Sequence, residues 1–203
     1  TGLVSAYHTV LVRHLLNEGE HLLSEALGLS STGRDCLMCY RELALSLIDA
    51  CVFPATPQAI YGLSLMLERG ILYQPPVAPA MWRQLGLPLS TYARDRLAMA
   101  FGDQATPEAF LLEGVLCMLG LPLGVGQGNN PTCQSARALS MWAYNDPDYM
   151  LQMVTWAARD NEIIMHFEGQ PVSSQESLSG VATSLPIDLD PVSLIVVPHL
   201  DRI

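Results

Sequence analysis

Apolar residues in the first part of the chain recur with a period near that of an α-helix. Val4, Tyr7, Leu11, Leu15, Leu22 and Leu23 fall on one stripe of a segment that ends at Gly28, which predicts an amphipathic helix over 3–27. After a turn at 30–34, the apolar positions Cys36, Leu37, Tyr40, Leu43, Leu47 and Ile48 predict a second helix over 35–52, stopping before Pro54. Thr56-Pro57 and Thr106-Pro107 each join a capping hydroxyl to a proline at the first helical position. The helices they open run to Arg69 and Leu119, and a further helix covers Thr91 to Phe101. The similarity of 55–59 to 105–109 follows from this shared capping chemistry and does not require an internal repeat. Tyr73 to Pro79, with prolines at 75, 76 and 79, reads as a connection. It divides a helical subdomain, 1–79, from a second part, 80–203.

Beyond this the pattern changes. A loop bearing Gly124, Gly126 and Gly128 leads through Asn129, Asn130, Pro131 and Thr132 into Cys133 and a helix that extends to Tyr144. Asp146-Pro147 opens another helix, to Arg159. Glu162 to Phe167 is short and isoleucine-rich and predicts a strand; Gln170 to Ser184 is polar, rich in serine and glycine, and reads as a mobile loop; Ser193 to Val197 predicts a second strand. The fold class is therefore α+β, mostly helical, with a small C-terminal sheet and a cysteine at a helix N-terminus.

Composition narrows the function. Half of the 203 residues are hydrophobic and 15% are charged, enough for a substantial core. The formal charge is −10, with ten arginines and no lysine. That excludes a broad basic surface for nucleic acid or anionic lipid, and it excludes Schiff-base chemistry. The missing lysines fit a G+C-rich, bacterial type of coding bias. Cys36, Cys39, Cys51, Cys117 and Cys133 are odd in number and irregular in spacing, as in a reduced, cytoplasmic protein. Cys36 and Cys39 form a Cys-x-x-Cys pair, but no second ligand pair follows, so no metal or other cofactor is expected. The apolar run 109–125 is interrupted by Glu113, Gly114, Gly120 and Pro122 and reads as a buried helix plus loop, not a membrane span. No signal peptide is visible, and the expectation from the first and last residues is a segment of a longer protein.

Two constellations carry candidate chemistry. His14, Glu18 and His21 fall on one helical face with a Glu-x-x-His step, a pattern used by di-iron bundles, but no second copy exists and a solvated polar face is the reading. The other is Cys133. Unpaired amides and the positive end of the helix dipole at a helix N-terminus favour thiolate over thiol. Gln127, six residues earlier, is in reach to donate to an oxyanion.

The order Gln127, Cys133, His166 and then Asp188 or Asp190 resembles that of papain-like and transglutaminase-like thiol enzymes. The likeness covers 124–197, and Gln134 stands where papain-like enzymes carry a tryptophan. It implies thiol-dependent acyl chemistry on a peptide, amide or other acyl substrate. Cys133 would be the nucleophile and His166 the base and acid. Asp190 or Asp188 would orient the histidine, and Gln127 would be an oxyanion donor. The alternative is a non-catalytic helical interaction or regulatory module of a larger protein, binding a protein partner through its Leu- and Met-rich helices.

Overall fold

The structure is a computed structural model that describes residues 4–176 and 185–203. The last eight residues of the loop expected at 170–184 lie outside the described part. The described residues form eleven α-helices and one antiparallel hairpin, a mostly helical α+β fold with its small sheet near the C-terminus.

Helix starts follow the capping grammar. Thr106 Oγ1 accepts from Ala109 N at the head of α8 (Pro107–Gly120), Asp146 Oδ1 accepts from Tyr149 N at α10 (Pro147–Thr155), and Ser90 Oγ accepts from Ala93 N at α7 (Thr91–Phe101). Each satisfies an amide that the helix leaves unpaired. Thr56 behaves differently: its hydroxyl donates to Cys51 O and accepts from Phe53 N, so it closes the turn before α5 (Gln58–Glu68) instead of capping it.

Periodicity overestimates helix length. The helix expected over 3–27 breaks at Gly19 into α1 (Ala6–Glu18), a 3₁₀ turn and the short α2 (Leu23–Ala26). The one expected over 35–52 is two, α3 (Ser31–Cys39) and α4 (Arg41–Cys51), with Tyr40 off helical geometry between them. Ser30 N and Oγ both meet the Glu68 carboxylate at 2.6 Å, so α3 begins inside the expected turn. The expected connection at 73–79 contains the start of α6 (Val77–Leu85), whose Val77, Ala80 and Met81 are buried. Prolines at a helix entry had masked it.

At the centre α5 and α8 touch backbone to backbone. A Cβ on Gly62 would lie 2.5 Å from Cys117 N, and one on Gly120 would lie 2.6 Å from Gly62 O. Glycine is required here because the helix axes approach too closely for any side chain. Buried residues from Val12 to Val197 join in a single hydrophobic cluster around this pair.

After α9 (Cys133–Asn145), α10 ends in a π-helical turn at Trp156–Asp160, which Asn161 closes with φ 53°. Strand β1 (Ile164–Phe167) lies within the predicted strand. It pairs with β2 (Gln170–Ser173), the first part of the stretch read as loop, in the register His166 opposite Pro171. The predicted strand at 193–197 is instead the interior of a helix, α11 (Pro191–Leu200). A short apolar run with no polar positions does not distinguish a buried strand from a buried helix. Here the Asp190 cap and Pro191 start a helix, and burial of Val192 and Leu194 to Val197 on all sides outweighs the β-preference of valine and isoleucine.

Candidate functional site

Cys133 is the first residue of α9, follows Thr132 at the cap position, and is exposed. The loop ahead of it is self-bonded. Gln127 Nε2 donates to Asn130 O at 2.7 Å, and Asn130 Nδ2 donates to Gln127 O at 2.9 Å. Asp188 fastens the loop from outside: Asn129 N donates to its Oδ2 at 2.8 Å and Asn130 Nδ2 to its Oδ1 at 2.9 Å. The Asn129 amide, then the Asn130 side chain, hold this carboxyl below the usual range. Gly128, at φ 59°, lets the loop close onto Asp188, since a Cβ there would lie 2.7 Å from Oδ2. Within the loop, Asn130 Oδ1 and Thr132 Oγ1 are buried without a hydrogen bond.

His166 sits on β1 with its side chain exposed. It lines an apolar groove of about 590 Å³ between α9 and the hairpin, along with Gln134, Trp142, Met165, Phe167 and Leu200. Among the described residues, no side-chain hydrogen bond joins Cys133 or His166 to any partner.

Asp190 lies elsewhere. Its Oδ1 accepts from Val192 N at 3.1 Å and Ser193 N at 2.9 Å, capping α11. Burial raises its carboxyl above the usual range against the opposing pull of those bonds. It lines a separate cleft with Cys117. The five residues singled out in the sequence thus fall into three places. Gln127 and Asp188 build the loop, Cys133 and His166 stand at and beside α9, and Asp190 heads α11. The histidine is not hydrogen-bonded to either aspartate, and the Gln127 amide is committed to its own loop.

Two features escaped the sequence. Glu113, the one acidic residue beyond the first turn of α8, accepts from Gln58 N at 3.0 Å and so caps α5; burial pushes its carboxyl up to about 7 despite the amide bonds. A single acid inside an apolar helix was the available signal. The other is a buried Ser174–His199 contact. Ser174 Oγ meets His199 Nδ1 at 2.9 Å and accepts from Ile163 N at 2.9 Å. With exposures of 0% and 2%, neither residue reaches solvent, and the pair ties the hairpin to α11. Burial first, then Arg202, pushes His199 down to about 4 against the opposing pull of Glu162, so the ring is neutral, and its Nε2 is buried without a partner. Nothing in the pattern of 193–199 could announce this, because the contact spans 25 residues.

On the exposed face of α1, His14 Nε2 and Glu18 Oε2 lie 3.8 Å apart, a solvated pair, and His21 is displaced beyond the break at Gly19. Among the described residues no group of three His, Cys, Asp or Glu side chains is placed to hold a metal ion, and no helix is long and apolar enough to cross a membrane. No family model matches the chain, and neither a curated protein nor a solved structure resembles it.

Proposed function

We propose that this chain is a non-catalytic interaction module that receives an amphipathic, basic segment of a partner protein in the groove between α9 and the hairpin. The observation that carries it is the groove's exposed apolar wall. Phe167 is 70% exposed and Ile203 38%, and Trp142, Met165 and Leu200 line the groove with them. Contiguous apolar surface of this kind is costly in water and is a mark of protein contact. The hairpin turn carries Glu168, and Glu176 follows β2; both are exposed on a chain of net charge −10, which favours basic residues flanking the partner's apolar ones.

Fluorescence anisotropy with a labelled Leu/Lys amphipathic helical peptide tests this, with a Leu/Glu peptide of the same pattern as comparison. The Leu/Lys peptide should bind, and Phe167→Glu should weaken it about tenfold. Since Phe167→Glu makes the protein more acidic, plain charge attraction would strengthen binding instead. Equal binding of both peptides, or unchanged affinity in the variant, refutes the reading.

The exposed position of Cys133 at the first residue of α9, with its neighbour Gln134 in the same groove as His166, favours a second reading: thiol-dependent acyl chemistry with Cys133 as nucleophile and His166 as base. It requires Cys133 to alkylate with an apparent pKa well below about 8.5. An unperturbed thiol there removes it.

A further inference from the structure

The cleft that Asp190 lines is independent of the α9 groove. It holds about 220 Å³ between α5, α8 and the 3₁₀ turn Pro122–Gly124, less than the roughly 300–1,000 Å³ of sites for drug-sized ligands. Its walls are Tyr61, Met118, Leu121 and Val125, and its polar groups include Gln58, Cys117 and Asp190. Among the described residues Asp190 is the only charged side chain that lines it.

How the acid reaches this place follows from packing. Gly114 on α8 carries no side chain, and a Cβ there would lie 3.0 Å from Pro191 Cβ and 3.1 Å from Val192 N. The first turn of α11 therefore rests directly on α8, and its capping carboxylate is brought to the cleft. Oδ1 takes both helix amides. Cys117 offers the carboxylate no charge: its thiol donates to Gln58 O at 3.4 Å, and burial pushes it up to about 12, so it stays protonated. Among the described residues no arginine lines the cleft. A carboxylate against apolar walls with no cationic partner is a group whose desolvation a ligand cation would offset.

We propose that this cleft binds a small organic amine, an ammonium group paired with Asp190 and one ring or short apolar chain packed against Tyr61 and Met118. The polarizable thioether and the aromatic ring suit such a body, and the ring also suits the charge beside it. The chain's negative charge draws cations toward it.

Isothermal titration calorimetry on the full chain with 2-phenylethylamine, the neutral isostere 2-phenylethanol and the anion phenylacetate tests the assignment. The amine should bind about tenfold or more tighter than the alcohol, and phenylacetate should not bind. Asp190→Asn keeps a good N-cap residue and should abolish the preference for amine over alcohol. Leu121→Arg, at an exposed lining position, places a competing guanidinium at the cleft and should weaken the amine while leaving the fold intact. Equal affinity for amine and alcohol, amine binding that survives both variants, or no amine binding up to about 10 mM overturns the proposal.

Discussion

Glu113 is half-buried and His199 buried, and their displaced titrations oppose each other. Glu113 rises from an ordinary 4.5 to about 7 in the folded protein, so the native state holds a proton that the unfolded chain releases. Stability from this group is greatest below pH 4.5 and declines as pH rises toward 7. His199 falls from 6.5 to about 4, so the unfolded chain binds a proton that the native state refuses. Stability from this group is lost as pH falls from 6.5 toward 4. Between pH 5 and 6.5, linkage gives a loss on the order of 2 kcal/mol from Glu113 and a gain of similar size from His199 as pH rises. The two slopes cancel. Glu113→Gln, which keeps an acceptor for Gln58 N, should expose the His199 slope, stability rising with pH. His199→Gln should expose the Glu113 slope, stability falling with pH. The assay is urea denaturation at pH 5.0, 5.5, 6.0 and 6.5. With an m-value of about 2.5 kcal/mol/M, each variant's midpoint should move by somewhat under about 1 M across this range relative to wild type, in opposite directions. A uniform loss of stability in either variant does not matter, because the readout is the difference in slope. Parallel profiles in all three proteins, or slopes of the same sign in the two variants, would refute the burial argument.

Gly62→Ala should cost about 3 kcal/mol in urea unfolding, since the new Cβ meets the Cys117 backbone at 2.5 Å and backbone cannot yield; a loss under about 0.5 kcal/mol would mean that α5 and α8 are not in contact there. In native iodoacetamide labelling read by mass spectrometry, Cys39 and Cys133 should react first and Cys36 and Cys51 only on unfolding. Rapid native labelling of Cys51 would contradict its burial. Asp188→Ala should speed amide hydrogen exchange at Asn129 and open the 125–132 loop to protease, with α9 otherwise unchanged. Unaltered exchange at Asn129 would show that the carboxylate does not hold the loop.

Much of the helical framework was legible because its signals are local. Thr106-Pro107, Asp146-Pro147 and the spacing of apolar residues determine helix starts through hydrogen bonds that reach only two or three residues ahead. Cys133 at a helix N-terminus was legible from the glycine-rich loop that runs into α9, although Thr132 makes no capping bond there. The errors arose where local signals are silent or conflict: Gly19 breaking a periodic stripe, prolines at 75, 76 and 79 around the start of α6, and the valine- and isoleucine-rich 193–197, helical because its surroundings bury every face. The site was less legible still. Chain order places Gln127, Cys133, His166, Asp188 and Asp190 in a plausible series, yet order carries no information on which side chains meet. The fold uses Asp188 to hold the loop of Gln127, and Asp190 to cap a helix. The cleft beside Cys117 and the Ser174–His199 contact depend on close approach at Gly114 and on a separation of 25 residues. What the sequence determined by itself was the set of short-range hydrogen bonds and apolar stripes. Which buried acid, thiol or imidazole faces which cavity was decided only by packing, because desolvation is set by everything that surrounds a group.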